Sequence, residues 1–471
     1  MTFSHDHRMA VAGAEGERPP IGQLGPDPWR LDPVTRAVFT ALAEEGGEAR
    51  FVGGCVRDAL IHRPSSDGDI DIATTETPDR VMAVMEARGF KVVPTGLAHG
   101  TVTVVAEGGK HFEVTTLRRD TACDGRHADV EFTTNFREDA QRRDFTFNAL
   151  SADLEGRVYD YFDGISDLKE GRVRFIGRPM DRIKEDYLRI FRFFRFFGRF
   201  GLPPVDPDAM SACSILAERV DELSAERVRG EVLKILAVGD PAGVLALMRG
   251  ARVLDRILPE AWDLPCLRAL VFLETRGLVL PGLGADPERR LAAVLGGGGL
   301  NEGKAGVDLA EDLGERLRLS RNQTARMAWM LDTPDPGSNS AFGTDSWPHP
   351  DMAPGSLRRQ LDAQGSERLV DRVLLAWSRE RAGELRPRAA RTDRWRVLLD
   401  RVQSWKEKPF PLTGKDLLAR GFSGPELGAV LAHLRGEWLD GKRSWTREEA
   451  LARLQSLPSP CSSGPPSGLL S

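Results

Sequence analysis

Near Gly177 the hydrophobic pattern of this 471-residue chain changes period. From about Trp29 to that point, helix-like stretches alternate with short β-branched runs at Ala49–Val52, Ile70–Ala73, Thr101–Ala106 and Phe112–Thr116, which predicts a mixed sheet with helices. Beyond it strand signals nearly vanish, and Leu/Ala/Arg segments at helical spacing alternate with Gly and Pro breaks to about Leu457. A chain this long exceeds what one hydrophobic core organises. The pattern therefore predicts an α+β domain over 29–177 followed by all-α domains over 178–245 and 246–457. Residues 1–28 and 458–471 lack periodicity and are expected to be disordered, and the stretch 336–355 reads as a long loop.

Composition narrows the class. No apolar run approaches ~18 residues and the first twenty residues lack the apolar core of a signal peptide, so no membrane span or export is expected and the cytoplasm is the default. Cys55, Cys123, Cys213, Cys266 and Cys461 are scattered without a C-x-x-C pair, which argues against structural zinc and disulfides. A net charge of −5 does not by itself suggest a nucleic-acid partner. Yet between Arg172 and Phe200 eight Arg and one Lys face only Asp181, Glu185 and Asp186, which makes a basic island in an acidic chain.

Four segments can carry chemistry. Phe51-Val52-Gly53-Gly54-Cys55-Val56-Arg57-Asp58 is an apolar strand running into two glycines and a helix-compatible stretch, where backbone N–H groups approach phosphate closely and Arg57 adds a fork of donors; a tight turn with a solvated Arg57 is the plainer alternative. In Asp69-Ile70-Asp71-Ile72 the two acids point to one strand face and can hold two Mg²⁺ ions ~4 Å apart, although a bare D-x-D also suits a polar turn. Glu113, in the alternating run from Phe112 to Arg118, is the candidate third carboxylate, or else an exposed strand residue. In Arg142-Arg143-Asp144-Phe145-Thr146-Phe147-Asn148, Arg143 can clamp a triphosphate and Asp144 can accept from a ribose hydroxyl; a surface ion pair is equally compatible.

The basic island itself is expected to be an amphipathic helix across Arg182 to Phe197. Arg189, Arg192, Arg195 and Arg199 form one stripe, with Phe196 an exception within it, and the Ile and Phe residues lie opposite. Asp186 and Arg189, one turn apart, either present an acceptor beside a donor to a base edge or form a solvated salt bridge.

In this order the segments closely resemble the class II nucleotidyltransferases, the family of bacterial CCA-adding enzymes and bacterial poly(A) polymerases. The match runs from about Phe51 to Arg195 through GGCVRD, DID, RRDFTFNAL, YDYFDGISDL and EDYLRIFRFFR. The resemblance implies a catalytic nucleotidyltransferase head at 29–177, a helical neck at 178–245 that binds nucleotide base and RNA, and a helical body and tail at 246–457 that hold tRNA. It implies that Asp69 and Asp71 bind Mg²⁺, that Gly54 and Arg57 contact the nucleotide, and that Arg143, Asp186, Arg189, Arg192 and Arg195 line its pocket. In that family the Asp and Arg of the EDxxR motif template the base. Cytosine and adenine both offer an exocyclic amine beside a bare ring nitrogen, which Asp186 and Arg189 would satisfy, whereas uracil and guanine reverse the order. The stretch Ser65-Ser66-Asp67-Gly68-Asp69 is slightly longer than the family pattern, and the register of Ile-Asp-Ile-Ala-Thr selects Asp69 and Asp71 over Asp67.

The expected activity is therefore addition of C, C and A to a tRNA 3′ end from CTP and ATP, with poly(A) addition the alternative and no DNA partner expected. Thr95 to Thr103, Asp124-Gly125-Arg126-His127, and the late stretches Pro411 to Leu418 and Gly424 to Gly428 resemble the CCA-adding type. A His-Asp phosphohydrolase is not expected, since His349 and His433 stand alone in the helical half. A catalytically silent RNA-binding protein is disfavoured because the named acids and arginines are all present. Trp329, Trp377, Trp395, Trp405 and Trp438 read as core.

Overall fold

In the computed structural model the β-branched runs of the first part pair into one eight-stranded sheet. The structure describes residues 18–43, 46–62, 70–123, 128–277, 283–296, 306–332, 347–383, 389–441 and 443–458. The strands are β1 (Gly22–Gln23), β2 (Ala49–Val52), β3 (Ile70–Thr74), β4 (Lys91–Gly96), β5 (Thr101–Val105), β6 (His111–Thr116), a separate hairpin of β7 (Arg118–Cys123) and β8 (Ala128–Phe132), then β9 (Ser151–Ala152) and β10 (Arg157–Tyr159). Their order is β1-β10-β9-β2-β3-β6-β5-β4, and β3 runs parallel to β6 while the other neighbours are antiparallel.

Two-residue alternation decides what each face carries. Ile70 and Ile72 point into a core with Phe51, Val102, Val104, Phe112 and Val114, closed by Val38 and Phe39 of α1 (Pro33–Ala43), Val56 of α2 (Gly54–Leu60), and Val81 and Met85 of α3 (Pro78–Ala87). Asp71 and Ala73 take the opposite face. There Ala73 packs with Val52, Leu117, Tyr161, Ile176 and Phe136 of α4 (Phe136–Gln141).

The mixed sheet and the helical second part follow the period change, and the four runs read as strands are β2, β3, β5 and β6 to within a residue. The expected disorder up to residue 28 is corrected for its described part. β1 adds to the sheet edge beside β10, and buried Arg30 donates to the carbonyls of Leu154 (2.8 Å) and Gly25 (2.7 Å). β4 was not legible because Pro94 weakens the strand signal; as an edge strand it tolerates a residue with no N–H to pair. In the expected loop 336–355, residues up to 346 lie outside the described ones, while Pro354 opens a helix, Pro354–Gln364.

The helix expected across 182–197 is broken in two, α5 (Pro179–Glu185) and α6 (Leu188–Phe200). Asp186 leaves the helical region at φ −156°, ψ 109°, and its Oδ1 accepts from the backbone N–H of Leu188 at 3.1 Å. A short acidic side chain here competes with the helix for a backbone donor and restarts it. On α6, Ile190, Phe191, Phe193, Phe194 and Phe196 are buried. Phe196 meets Phe145 and Phe147 edge-on at 5.3 and 5.5 Å, so aromatic packing seats this helix on the loop that follows α4.

The chain forms two compact units, 1–239 with 243–259, and 240–242 with 260–471. Among the described residues the second is helical. Glu274 is buried beneath Arg289 and Arg290, and Arg326 spans Asp286, Glu288 and Asp371. Trp377, Trp395 and Trp438 are core, as expected; Trp329 and Trp405 are half-buried, each under an arginine, Arg372 at 3.3 Å and Arg443 at 3.5 Å. The Pro411–Leu418 stretch is a capped helix start, with Thr413 and Asp416 forming a reciprocal capping box. Among the described residues no helix is long and apolar enough to cross a membrane.

Candidate active site

Strand β2 ends at Val52, and Gly53 turns the chain into α2 with φ 72° and ψ −128°, a conformation open to glycine alone. A Cβ at this position would stand 3.4 Å from Asp71 Oδ2 and 3.6 Å from Arg143 Nη1. Bare backbone here leaves an opening between a carboxylate and a guanidinium that any side chain would fill.

Asp71 is half-buried on β3 and faces Glu113 of β6 directly in the parallel register. Glu113 is exposed between buried Phe112 and Val114. Residues paired across neighbouring strands point to the same face, strands being ~4.8 Å apart. Asp71 and Glu113 thus stand side by side, and the register supplies what spacing alone left open. Asp69 lies outside the described residues, and among those described no group of three metal-binding side chains converges. Two adjacent hard-oxygen donors bordering an unfilled glycine turn are the right chemistry for a divalent cation.

Arg143 follows α4, held from behind by a residue that motif reading overlooked. Asp139 is buried and accepts from Arg142 Nε at 2.8 Å through Oδ1 and from Arg143 Nη2 at 3.0 Å through Oδ2. Burial alone would push its carboxyl up, but the charges of Arg143 and Arg142 outweigh that and hold it below the usual carboxylate range. Arg182 donates to the carbonyls of Arg142 (2.6 Å) and Arg143 (2.8 Å), and Arg189 reaches the Arg142 carbonyl at 3.3 Å. Around this turn Arg142 and Arg143 pair with Asp139, and Arg182 and Arg189 with Glu185, so that among the described ion pairs four guanidinium groups share two carboxylates. Local charge is therefore positive, as a polyanionic ligand requires.

The next residues form one continuous chain, buried in its middle and partly exposed at its two arginine ends. Arg199 donates to Asp58 (3.0 Å), Arg57 to Asp58 (2.8 Å) and to Asn148 Oδ1 (2.7 Å), Asn148 Nδ2 to Asp144 (2.9 Å), and Arg192 to Asp144 Oδ2 (2.5 Å). The run starts and ends on α6 and passes through the glycine-turn helix and the RRD segment. Arg57 is 5% exposed and sits over the Phe200 ring at 4.7 Å, so its solvated alternative does not hold; its Nη2 lies 3.6 Å from where a Gly54 Cβ would stand. Burial would raise the Asp144 carboxyl, but Arg192 and the Asn148 amide outweigh it and hold it low. Replacing Asn148 by Ala would leave a buried donor of Arg57 unmatched and take one of the two donors from Asp144 Oδ1, which keeps the Phe145 N–H at 2.9 Å, at about 2 kcal/mol. We expect Asn148→Ala to lower the thermal midpoint of the first unit by roughly 4–8 °C; a change within one degree in calorimetry would mean water replaces both bonds.

The arginine stripe does not face solvent. Arg189 pairs with Glu185 at 2.6 Å rather than with Asp186, and Arg195 pairs with buried Glu231 at 2.6 Å. Asp186 Oδ2 accepts from Arg227 at 2.7 Å. Glu231 and Arg227 are one turn apart on α7 (Ala225–Leu236), so this single helix holds both Arg195 and Asp186. Asn148, Asp139, Glu231 and Arg227 were all missed from sequence. Only Asp139 had a local signal, its position three and four residues before the two arginines.

The parallel β3–β6 pair, the glycine turn and the arginine-rich turn belong to a nucleotidyltransferase head. A family profile described as the poly A polymerase head domain matches residues 49–174, and one described as a probable RNA and SrmB-binding site of polymerase A matches 204–264. The chain is 32% identical over 425 residues to the mitochondrial CCA tRNA nucleotidyltransferase 1 of Homo sapiens, covering 89% of each. It is 30% identical to the CCA-adding enzyme of Levilactobacillus brevis, over 87% of this chain and 94% of that one. Among solved structures it matches the Bacillus stearothermophilus CCA-adding enzyme in complex with CTP at a TM-score of 0.66 and 27% identity, over 89% of this chain and 95% of that one. This chain belongs to the CCA-adding tRNA nucleotidyltransferase family.

Proposed function

We propose that this protein adds C, C and A to the 3′ end of tRNA from CTP and ATP, releasing pyrophosphate at each step, with Mg²⁺ as the metal. The observation that carries this is that Asp71 Oδ2 and Arg143 Nη1 both lie within 3.6 Å of where a Gly53 Cβ would stand, with Glu113 in register beside Asp71. Relatives named for CCA addition match over most of their length, which favours this reading over poly(A) addition. Residues 29–177 act as head, 178–245 as neck and 246–457 as body and tail holding tRNA. The cytoplasm, or the equivalent compartment where tRNA matures, is the working site.

Asp69 and Asp71, with Glu113 as third carboxylate, would hold Mg²⁺. When bound, the metal supplies charge neutralisation at the triphosphate and a more acidic attacking hydroxyl. Arg143, oriented by its neighbours, holds the triphosphate, and Gly53 and Gly54 let backbone approach it. Asp144 accepts from the ribose hydroxyl with the lone pair of Oδ2 that Arg192 leaves, Oδ1 being taken by the Asn148 amide and the Phe145 N–H. Arg57, Arg192 and Arg195 keep the pocket in shape. The RNA 3′-hydroxyl gives up its proton to solvent as its oxygen bonds to the α-phosphorus in line, the bond to the bridging α–β oxygen breaks, and pyrophosphate leaves with that electron pair.

The test is incubation with a tRNA lacking its three terminal nucleotides, Mg²⁺, and each nucleoside triphosphate singly and combined, with product length read at single-nucleotide resolution. Two additions with CTP and a third with ATP are expected. A long ladder with ATP alone would make the protein a poly(A) polymerase instead, and no extension would leave an RNA-binding protein.

A further inference from the structure

An arginine that grips a phosphate must not also swing. A guanidinium on a long side chain has many rotamers, and freezing them at the moment of binding opposes affinity. Arg143 arrives already fixed: Asp139 Oδ2 takes its Nε at 3.3 Å and its Nη2 at 3.0 Å, which leaves Nη1 directed to the opening at Gly53. The same carboxylate takes Arg142 through its other oxygen, with Arg142 Nε at 2.8 Å. Asp139 is itself anchored on a helix capped by Asn135, whose side chain accepts from the backbone N–H of Arg137.

We propose that Asp139 is the positioning residue for nucleotide triphosphates of either base, acting through Arg143. It touches no substrate. Its work is to hold two of the three guanidinium nitrogens so that the third meets the triphosphate without a loss of side-chain freedom. The inference rests on Arg143 being the triphosphate clamp. Because CTP and ATP share their triphosphate, the effect of Asp139 is the same for both nucleotides and separate from base choice, which Asp186 and Arg189 serve.

The experiment is a double-mutant cycle on the full chain with Asp139→Asn, Arg143→Gln and the pair. KM and kcat are read for CTP on tRNA lacking CCA and for ATP on tRNA ending in CC. Asp139→Asn keeps shape and one acceptor oxygen and loses the charge. Its expected result is a roughly tenfold rise in KM for both nucleotides, with kcat and the preference for C and A over U and G little changed. In the Arg143→Gln background the same substitution should add almost nothing. A merely structural Asp139 would multiply its effect onto Arg143→Gln, and that result overturns the proposal. If Arg143→Gln leaves both KM values unchanged, the proposal falls with the clamp, while normal product lengths from the unaltered protein leave CCA addition standing. Should Asp139→Asn fail to fold, Asp139→Glu carries the test. It keeps the charge but moves the carboxylate by one methylene, so KM should rise for both nucleotides with Arg143 present and not in the Arg143→Gln background; an unchanged KM overturns the proposal.

Discussion

Asp71→Ala is expected to reduce nucleotide incorporation by roughly a thousandfold or more while tRNA binding stays nearly intact. Asp71 is the described carboxylate closest to the glycine turn, Oδ2 lying 3.4 Å from the place of a Gly53 Cβ, and its register neighbour Glu113 cannot hold a divalent cation at full charge compensation alone. Metal at a phosphoryl-transfer site is worth several kcal/mol, each 1.36 kcal/mol being tenfold in rate. Binding of the RNA body is expected to survive, since Asp71 is a half-buried strand residue with no basic side chain to offer phosphate. Single-turnover extension and a filter-binding titration measure the two quantities separately. A parallel fall in both would show that the substitution damages the head and would remove the metal assignment.

The second large effect concerns base choice. Asp186→Ala should relax selectivity for C and A over U and G by roughly ten- to a hundredfold, the worth of one or two mismatched buried hydrogen bonds, and slow turnover with the correct nucleotides less than that. Its carboxylate sits between two helices rather than within one, with Oδ1 on the Leu188 N–H and Oδ2 on Arg227. A carboxylate oxygen has two lone pairs, so Oδ2 can keep Arg227 and still accept from an exocyclic amine. Competition assays with all four nucleoside triphosphates read the ratio. An unchanged ratio would refute templating by Asp186.

The contrast between Asp186 and the arginine stripe shows how far sequence reading reached. Helical spacing put Arg189, Arg192, Arg195 and Arg199 on one face correctly, but a face has no destination until something packs on it. Their acceptors, Glu185, Asp144, Glu231 and Asp58, lie between 4 and 141 positions away in the chain, and no periodicity predicts a pairing at the larger of those separations. The break at Asp186 has a related cause. Apolar period favours a continuous helix, and a single side chain capturing one backbone donor overrides it. Phe196, an anomaly in the stripe, becomes intelligible once Arg195 lies over its ring at 4.1 Å and Phe145 and Phe147 close its edges.

Glu113 and Asn148 mark the same boundary from the side of the site. Glu113 was nameable because a strand acid shows in an alternating run, yet only the parallel β3–β6 register puts it opposite Asp71. Asn148 sits inside a recognised motif and carried no assigned role, because a neutral amide has no charge pattern to betray that it joins Arg57 to Asp144.

By itself the sequence determined the period change that divides sheet from helices, the glycine turn, the strand-borne acids and the order of motifs that marks the family, because these depend on residues a few positions apart. Tertiary structure alone decided which carboxylate answers which arginine, that the expected helix is two, that residues near 22 complete a sheet edge, and that Asp139 holds Arg143 toward the glycine turn. Those outcomes turn on distances between groups remote in the chain and on burial, which makes a matched hydrogen bond nearly obligatory once water is excluded.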